Sequence, residues 1–497
     1  MKQPFILAID QGTSSTKTLI FDAGGQVVAR TSEPLKTHYY GDGYVEQDPE
    51  AIYQNVLTSV GKCLDAFTAE GGNLSDILTC GISNQRETFI IWDADGKPLY
   101  NAVVWQCKRS ISICERLKAG GLEPPVRAKT GLFIDPYFSG TKLMWLAENV
   151  HAVREAIHDG NAYFGTVDTW LLYKFTNGAE YATDYTNASR TLFFNLQTLR
   201  WDEELLALFG LSGLNLPQPK PSSAHFGTSQ FNGLFDHLVP ITAMIGDSHA
   251  AAFGEGCFEP GTAKATLGTG CSILMNIGPD PKESGHGLIS TICWSTEDRT
   301  DYALEGVIVT CGATMEWLKN ELGLFQNSRD TEAMALAVPD NGGVYLIPAF
   351  SGLGAPHWQM DRKASISGLT FGTTKNHLVR AALESIPFQL KDVLVAMEQD
   401  TGIPLAELMV NGGLTSNRFV LQLIADLLGT PVINKDMPDV SAKGAAYLAG
   451  LKAGIFTDLA HVSRLETQKS VVSPNPDNAL ITESYAGWQS AIAKGSL

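Results

Sequence analysis

The sequence predicts an α/β protein of two domains around a cleft, and three observations carry that prediction. At 497 residues the chain exceeds the roughly 250–300 residues that one hydrophobic core can serve. Strand-like runs such as "ILTCGISNQ" and "FIIWDADG" accompany helix-like ones such as "DPEAIYQNVLTSVGKCLDAF" and "NHLVRAALESIPFQLKDVLVAMEQ", and strands mixed with helices of that length form α/β layers. A strand, a Gly-Thr turn and a second strand occur twice, in "ILAIDQGTSSTKTLIFD" at 6–22 and "AKATLGTGCSILMNI" at 263–277. Each copy stands near the head of half the chain, which points to duplication.

Taken in order, "FILAI" and "TLIFD" have the length and residue types of buried strands. The joint between them is too rich in Gly, Ser and Thr for a core. Its N–H and O–H groups suit a phosphate, and Asp10 at the end of the first strand could hold Mg²⁺ beside it. An ordinary polar hairpin is the alternative. A helix starts near Asp48, with Pro49 in its first turn and an acid just after. The small residues of "GDSHAAAFGEGCFEPGTAKA" mark a boundary near 250, giving domains 1–250 and 251–497. A third Gly turn, "MVNGGLTSNRFV" at 409–420, joins a strand to a helix. It offers amides or a bare glycine face to a phosphate or adenine ring, unless it is a plain connection. A nucleotide between the domains would meet both Gly-Thr turns, as in a closing clamp.

Composition narrows the class. Apolar residues make up 44% and charged ones 18%, as in folded soluble proteins. A formal charge of −17 disfavours nucleic acid and anionic membrane but leaves room for a small anionic ligand. No run approaches the ~20 apolar residues of a membrane span, and "MKQPFILAID" lacks a signal-peptide core. The eight cysteines form no C-x-x-C pair, so neither zinc nor a disulfide framework is expected. A reducing cytoplasm, with most thiols as small core residues, is the simplest setting. P-loop, zincin, serine-elbow, protein-kinase and Rossmann motifs are all missing from the sequence. If ATP is handled here, a different architecture handles it.

Further stretches are specific. "GISNQRETFIIWD", "NAVVWQCKRS", "GLFIDPYFSGTKLMWLAEN", "GTVDTWLLYKFT", "ATDYTNASRTLFFN", "IGDSHAAAFG", "SGLGAPHW" and "SAKGAAYLAG" follow in order. Together they resemble the glycerol kinases of the FGGY carbohydrate kinase family, from Phe5 to the tail "ESYAGWQSAI". "YFSGTKLMWLAEN" and "ASISGLTFGTTKNHLVRAALE" are similar to that family's two signature patterns.

The resemblance implies two actin-like (ribonuclease H-like) domains, with ATP·Mg²⁺ and a polyol or sugar meeting in the cleft. It assigns Asp10 to the magnesium, and Thr13, Ser14 and Ser15 with their backbone to the β- and γ-phosphates. Lys17 stands where the family usually has arginine, a point charge in place of a planar fork. Asp247 matches the aspartate that takes the proton of the attacking hydroxyl; as residues alone, it also reads as a helix N-cap. Arg86 and Glu87 would pair with the substrate's hydroxyls, or simply with each other, while Tyr137 offers a phenol and Trp105 an apolar wall. Thr269 falls near the phosphates, and Gly312, Glu316, Gly413 and Asn417 near the adenosine. Glu316 replaces the family's usual glutamine and Asn411 its usual acid.

Two departures bear on the substrate. Ser248 and His249 follow Asp247 where the family reads Gln-Gln, and Ser272 replaces a phenylalanine of the glycerol site. A larger pocket with added hydroxyls suits a four-carbon polyol such as erythritol; refilling by neighbours or water keeps glycerol. Pairing of the two serines decides, since an unpaired hydrogen-bonding group costs far more discrimination than an apolar gap. An actin-like mechanical ATPase is the remote alternative, disfavoured by the polar run "NQRE…WQC…DPYF…GDS". Family members are often dimers or tetramers. Sugar-bisphosphate control is expected to be absent, because "TSQFNGLFDHLVPIT" lacks a Gly-rich loop with an arginine.

Overall fold

The computed structural model describes residues 4–435, 438–465, 470–476 and 479–494. A six-stranded sheet runs in the order Ser223–Ser229, Val239–Gly246, Ile77–Asn84, Phe5–Gln11, Ser15–Asp22, Val27–Pro34. The first three strands in sequence form an antiparallel meander, and Ile77–Asn84 and Val239–Gly246 add in parallel beyond Phe5–Gln11. A seven-stranded sheet repeats the plan. Thr262–Leu267 and Cys271–Gly278 are antiparallel, and Glu407–Asn411 and Val432–Asn434 add in parallel on the other side. The repeat is imperfect: Thr300–Ile308 is the third meander strand, and the earlier Ile289–Ser295 lies outside it at the sheet edge.

The apolar run "FILAI" follows from burial on both faces. Leu7 and Ile9 pack toward Ile52, Val56 and Val60 of the helix Pro49–Ala69. Asp48 starts that helix as predicted, its carboxylate accepting from the amides of Glu50 (2.8 Å) and Ala51 (3.3 Å). Ile6 and Ala8 face the other way, into a cluster with Ala250 and Phe253 of helix Asp247–Gly254 and Ala442, Ala445 and Leu448 of helix Val440–Lys452. A helix from the C-terminal part of the chain thus seals the N-terminal sheet.

The small residues of "SAKGAAYLAG" have a steric reason. A Cβ on Gly444 would sit 1.9 Å from the carbonyl oxygen of Ala250, and one on Gly81 would sit 2.2 Å from that of Ala445. The obstacle is backbone at both places, so no rotamer can relieve it. Gly444→Ala is therefore expected to destabilise by about 1–3 kcal/mol through overpacking, read as a lowered thermal unfolding midpoint.

A buried acidic pair stands beside this sheet. Asp168, in helix Val167–Phe175, accepts from the Thr166 (2.6 Å) and Thr183 (2.7 Å) hydroxyls. Burial, with the nearby Asp184 carboxylate, pushes Asp168 up to about 7. A folded-state value above the unfolded one means the native protein binds the extra proton between about pH 4 and 7, so this group's contribution to stability falls as pH rises through that window. Asp168→Asn should gain stability relative to the parent from pH 4 to 7, measured by urea unfolding at each pH. All eight cysteines are buried and free, and among the described residues no helix is long and apolar enough to cross a membrane.

Candidate active site

The parallel strands Phe5–Gln11, Ile77–Asn84 and Val239–Gly246 end side by side, with Gln11 opposite Asn84 and Asn84 opposite Gly246. Open α/β sheets bind ligands beyond such carboxyl ends. Asp10, Gln85, Arg86, Glu87 and Asp247 emerge here. Gly12 N–H closes the first turn onto the Ser15 carbonyl at 3.0 Å. Asp10 accepts from the Ser83 hydroxyl at 3.0 Å; removal from water, then the Asp247 charge, push its carboxyl up to about 6. Two oxygen donors that repel one another suit a hard divalent cation, which binds through one or two carboxylates plus phosphate oxygens. Among the described residues no group of three or more His, Cys, Asp or Glu could hold a metal by itself.

Asp247 is the first residue of its helix, and its side chain does not cap it: Gly246 holds the cap position without a side-chain bond. The carboxylate instead accepts from its neighbour Ser248 N–H at 2.6 Å and lies 3.3 Å from Arg86 Nε, with the side chain 40% exposed. Arg86 in turn forks onto Glu305, Nη1 to Oε2 at 3.2 Å and Nη2 to Oε1 at 3.0 Å. Arg190 joins Glu87 (2.6 Å) and Glu305 (2.8 Å). The expected alternative pairing of Arg86 with Glu87 is thus replaced by an exchange of partners: two arginines and two glutamates, all buried, spanning both halves of the chain. Burial pushes the Glu305 carboxyl up, but Arg190 and Arg86 overcome it and hold it well below the usual range.

Around this cluster, Trp105 and Tyr137 meet edge to face at 5.6 Å between centroids. Buried Lys142 donates to the carbonyls of Pro136 (2.9 Å) and Tyr137 (2.6 Å), and burial brings its amine down to about 8. Lys264, also buried, donates to Ser248 Oγ at 3.3 Å and Thr266 Oγ1 at 3.1 Å. Ser272 Oγ donates to Glu305 Oε1 at 3.5 Å. His249 is buried and kept neutral by desolvation and then by the Arg86 charge.

A family model for the N-terminal domain of the FGGY carbohydrate kinases matches residues 5–254, and one for the C-terminal domain matches 263–453. The chain belongs to the FGGY family of carbohydrate kinases. It is an ATP-dependent phosphotransferase, and its two actin-like halves form the fold of that family. Glycerol kinases of Carboxydothermus hydrogenoformans and Symbiobacterium thermophilum are 46% and 45% identical to it, each alignment covering 99% of this chain and 98% and 99% of theirs. A crystal structure of Plasmodium falciparum glycerol kinase with ADP superposes at TM-score 0.95 and 35% identity, over 100% of this kinase and 99% of that chain. A gluconate kinase from Lactobacillus acidophilus, at 23% identity and TM-score 0.89 over 99% of both chains, shares the fold.

In the C-terminal half, three turns of the kinase converge. The amides of Gly312 and Ala313 donate to the carbonyls of Gly268 (2.9 Å) and Thr269 (3.1 Å), so the turn holding exposed Thr269 lies on the start of helix Gly312–Asn320. A Cβ at Gly312 would meet the Gly268 oxygen at 2.7 Å. Gly412 adopts φ +99°, and a Cβ there would meet the Leu267 carbonyl at 2.5 Å. Gly413 is exposed beside it. Asn417 is buried and caps helix Arg418–Leu428 through Val420 N–H at 3.1 Å. Glu316 is exposed and accepts from Asn320 at 3.5 Å.

Ser14 and Ser15 leave their hydroxyls without protein partners among the described residues. Lys17 is already engaged: its Nζ lies 2.8 Å from Asp439 Oδ1, and Asp439 Oδ2 holds Arg30 at 3.0 Å. Glu305, Arg190 and Lys264 escaped the sequence reading. For Glu305 the signal was an isolated charge inside the apolar run "YALEGVIV", which must find a partner or a ligand; Arg190, among the polar residues of "NASRTLFF", carried no such signal.

Proposed function

We propose that this kinase moves the γ-phosphoryl group of ATP onto a terminal hydroxyl of glycerol, giving glycerol 3-phosphate. The observation that carries the reading is Asp247: a part-exposed carboxylate, held by an arginine that Glu305 locks in place. Asp247 accepts the proton of the attacking hydroxyl as phosphoryl transfer proceeds, a step that needs in-line positioning more than covalent help. Arg86 and Glu87 orient the substrate's other hydroxyls, and Tyr137 and Trp105 border its carbons. Ser14, Ser15, Lys17, Thr269 and the turn amides receive the phosphates. Gly312, Glu316, Gly413 and Asn417 border the adenosine. Asp10 holds the magnesium of MgATP, which when bound neutralises phosphate charge. The division into lobes 1–250 and 251–497, a homo-oligomeric state and a cytoplasmic setting complete the reading.

Glycerol is favoured over a longer polyol by the partner of Ser272, which already reaches Glu305 and so demands no extra substrate hydroxyl; Ser248 accepts from Lys264 and keeps its own proton to give. The named activity of the relatives at 45–46% identity agrees. A panel of glycerol, erythritol and pentitols with ATP and Mg²⁺ tests this: kcat/KM highest for glycerol supports the reading, and a preference for erythritol overturns it.

A further inference from the structure

Three buried glutamines, Gln11, Gln47 and Gln85, fix the direction of a hydrogen-bond chain that ends on the polyol wall. Gln11 Nε2 donates to the Gly12 carbonyl at 2.8 Å, and Gln47 Nε2 donates to the Thr13 carbonyl at 2.7 Å. A carbonyl only accepts, so these contacts decide which end of each amide is nitrogen. The remaining oxygens of Gln11 and Gln47 both face Gln85 Nε2, at 3.1 and 3.0 Å. Gln85 Oε1 is then an acceptor. It receives the hydroxyls of Thr13 at 3.3 Å and Thr88 at 2.9 Å.

A hydroxyl has one proton and two lone pairs. Having given their protons to Gln85, both threonines turn lone pairs toward Trp105. Thr88 Oγ1 accepts its backbone N–H at 3.2 Å, and Thr13 Oγ1 accepts its indole N–H at 2.9 Å. Trp105 is pinned at both ends by the same amide oxygen acting through two hydroxyls.

We propose that Thr13 is a positioning residue for the polyol site: its hydroxyl orients the Trp105 indole and ties that wall to the phosphate turn. Its proton is committed to Gln85, so the phosphate contacts of the turn fall to Ser14, Ser15 and the backbone amides. The proposal rests on the glycerol kinase reading above, and it reassigns the turn hydroxyl that Gln85 and Trp105 engage.

Steady-state kinetics of Thr13→Val, Thr13→Ser, Trp105→Phe and the Thr13→Val/Trp105→Phe pair test it. Thr13→Val removes two neutral hydrogen bonds, one to Gln85 and one from Trp105; loss of the one from Trp105 should raise KM for glycerol roughly fivefold, with KM for ATP unchanged within about twofold and Thr13→Ser close to the parent. The double variant should be no worse than the weaker single variant, because both remove the same bond. A raised KM for ATP or a lowered kcat in Thr13→Val, with glycerol KM unchanged, overturns the proposal and returns the hydroxyl to the phosphate. If Thr13→Val does not fold, the indole N–H resonance that vanishes in Trp105→Phe gives the answer in the parent. Slow hydrogen exchange there supports the bond, and exchange at the rate of an open indole overturns it. A parent inert toward glycerol but with a protected indole defeats the functional reading and leaves the hydrogen bond standing.

Discussion

Asp247→Asn should fold like the parent and lose turnover by 10²–10⁴-fold, or roughly 3–5 kcal/mol of barrier. The substitution keeps size and shape while removing the proton acceptor. Its structural cost is small, because the side chain is not the helix cap and is 40% exposed. The loss should fall on kcat, with KM for ATP little changed. Matching circular dichroism and unfolding midpoints would assign it to chemistry rather than folding. A variant retaining more than half the parent's kcat would rule out Asp247 as the base.

Glu305→Gln should cost stability as well as activity. Both Arg86 and Arg190 rest on this carboxylate, and all three groups are buried. Removing one member of a buried ionic cluster leaves charge uncompensated, typically costing 3–5 kcal/mol. The unfolding midpoint should drop accordingly. With Arg86 freed from its fork, Asp247 loses its orienting partner, so kcat/KM for glycerol should fall by at least about tenfold, the scale of one charge-assisted hydrogen bond. Adding Arg190→Gln restores the charge balance and should recover part of the stability. If Glu305→Gln alone unfolds at the parent's midpoint, the cluster is not the structural link described here.

Much of this was legible in the sequence because it is encoded locally. Runs such as "FILAI" and the glycines between them specify strands and tight turns within a few residues, and Asp48–Pro49 specifies a helix start. Asp10 could be read because it ends a strand, while Arg86, Glu87 and Asp247 follow from the family resemblance; the ends of three parallel strands then gather all four. The ion cluster could not be read. Arg190 and Glu305 lie far apart in the chain, and only the packed sheets decide that Arg86 chooses Glu305 over its neighbour Glu87. The family resemblance assigns Thr13 to the phosphates; the partners of its hydroxyl, Gln85 and Trp105, lie 72 and 92 residues away, and no local pattern connects them to it. Lys17 likewise meets Asp439 only through the tertiary fold.

The seating of Val440–Lys452 against Phe5–Gln11 and Ile77–Asn84 means that the boundary drawn along the sequence is not the boundary of folding. A fragment ending near residue 250 would carry every strand of its sheet yet bare Ile6, Ala8 and Ala243 to water, because the cover arrives some 190 residues later, counted from 250 to 440. During synthesis the first half must therefore wait, one greasy face open, until nearly the whole polypeptide has been made.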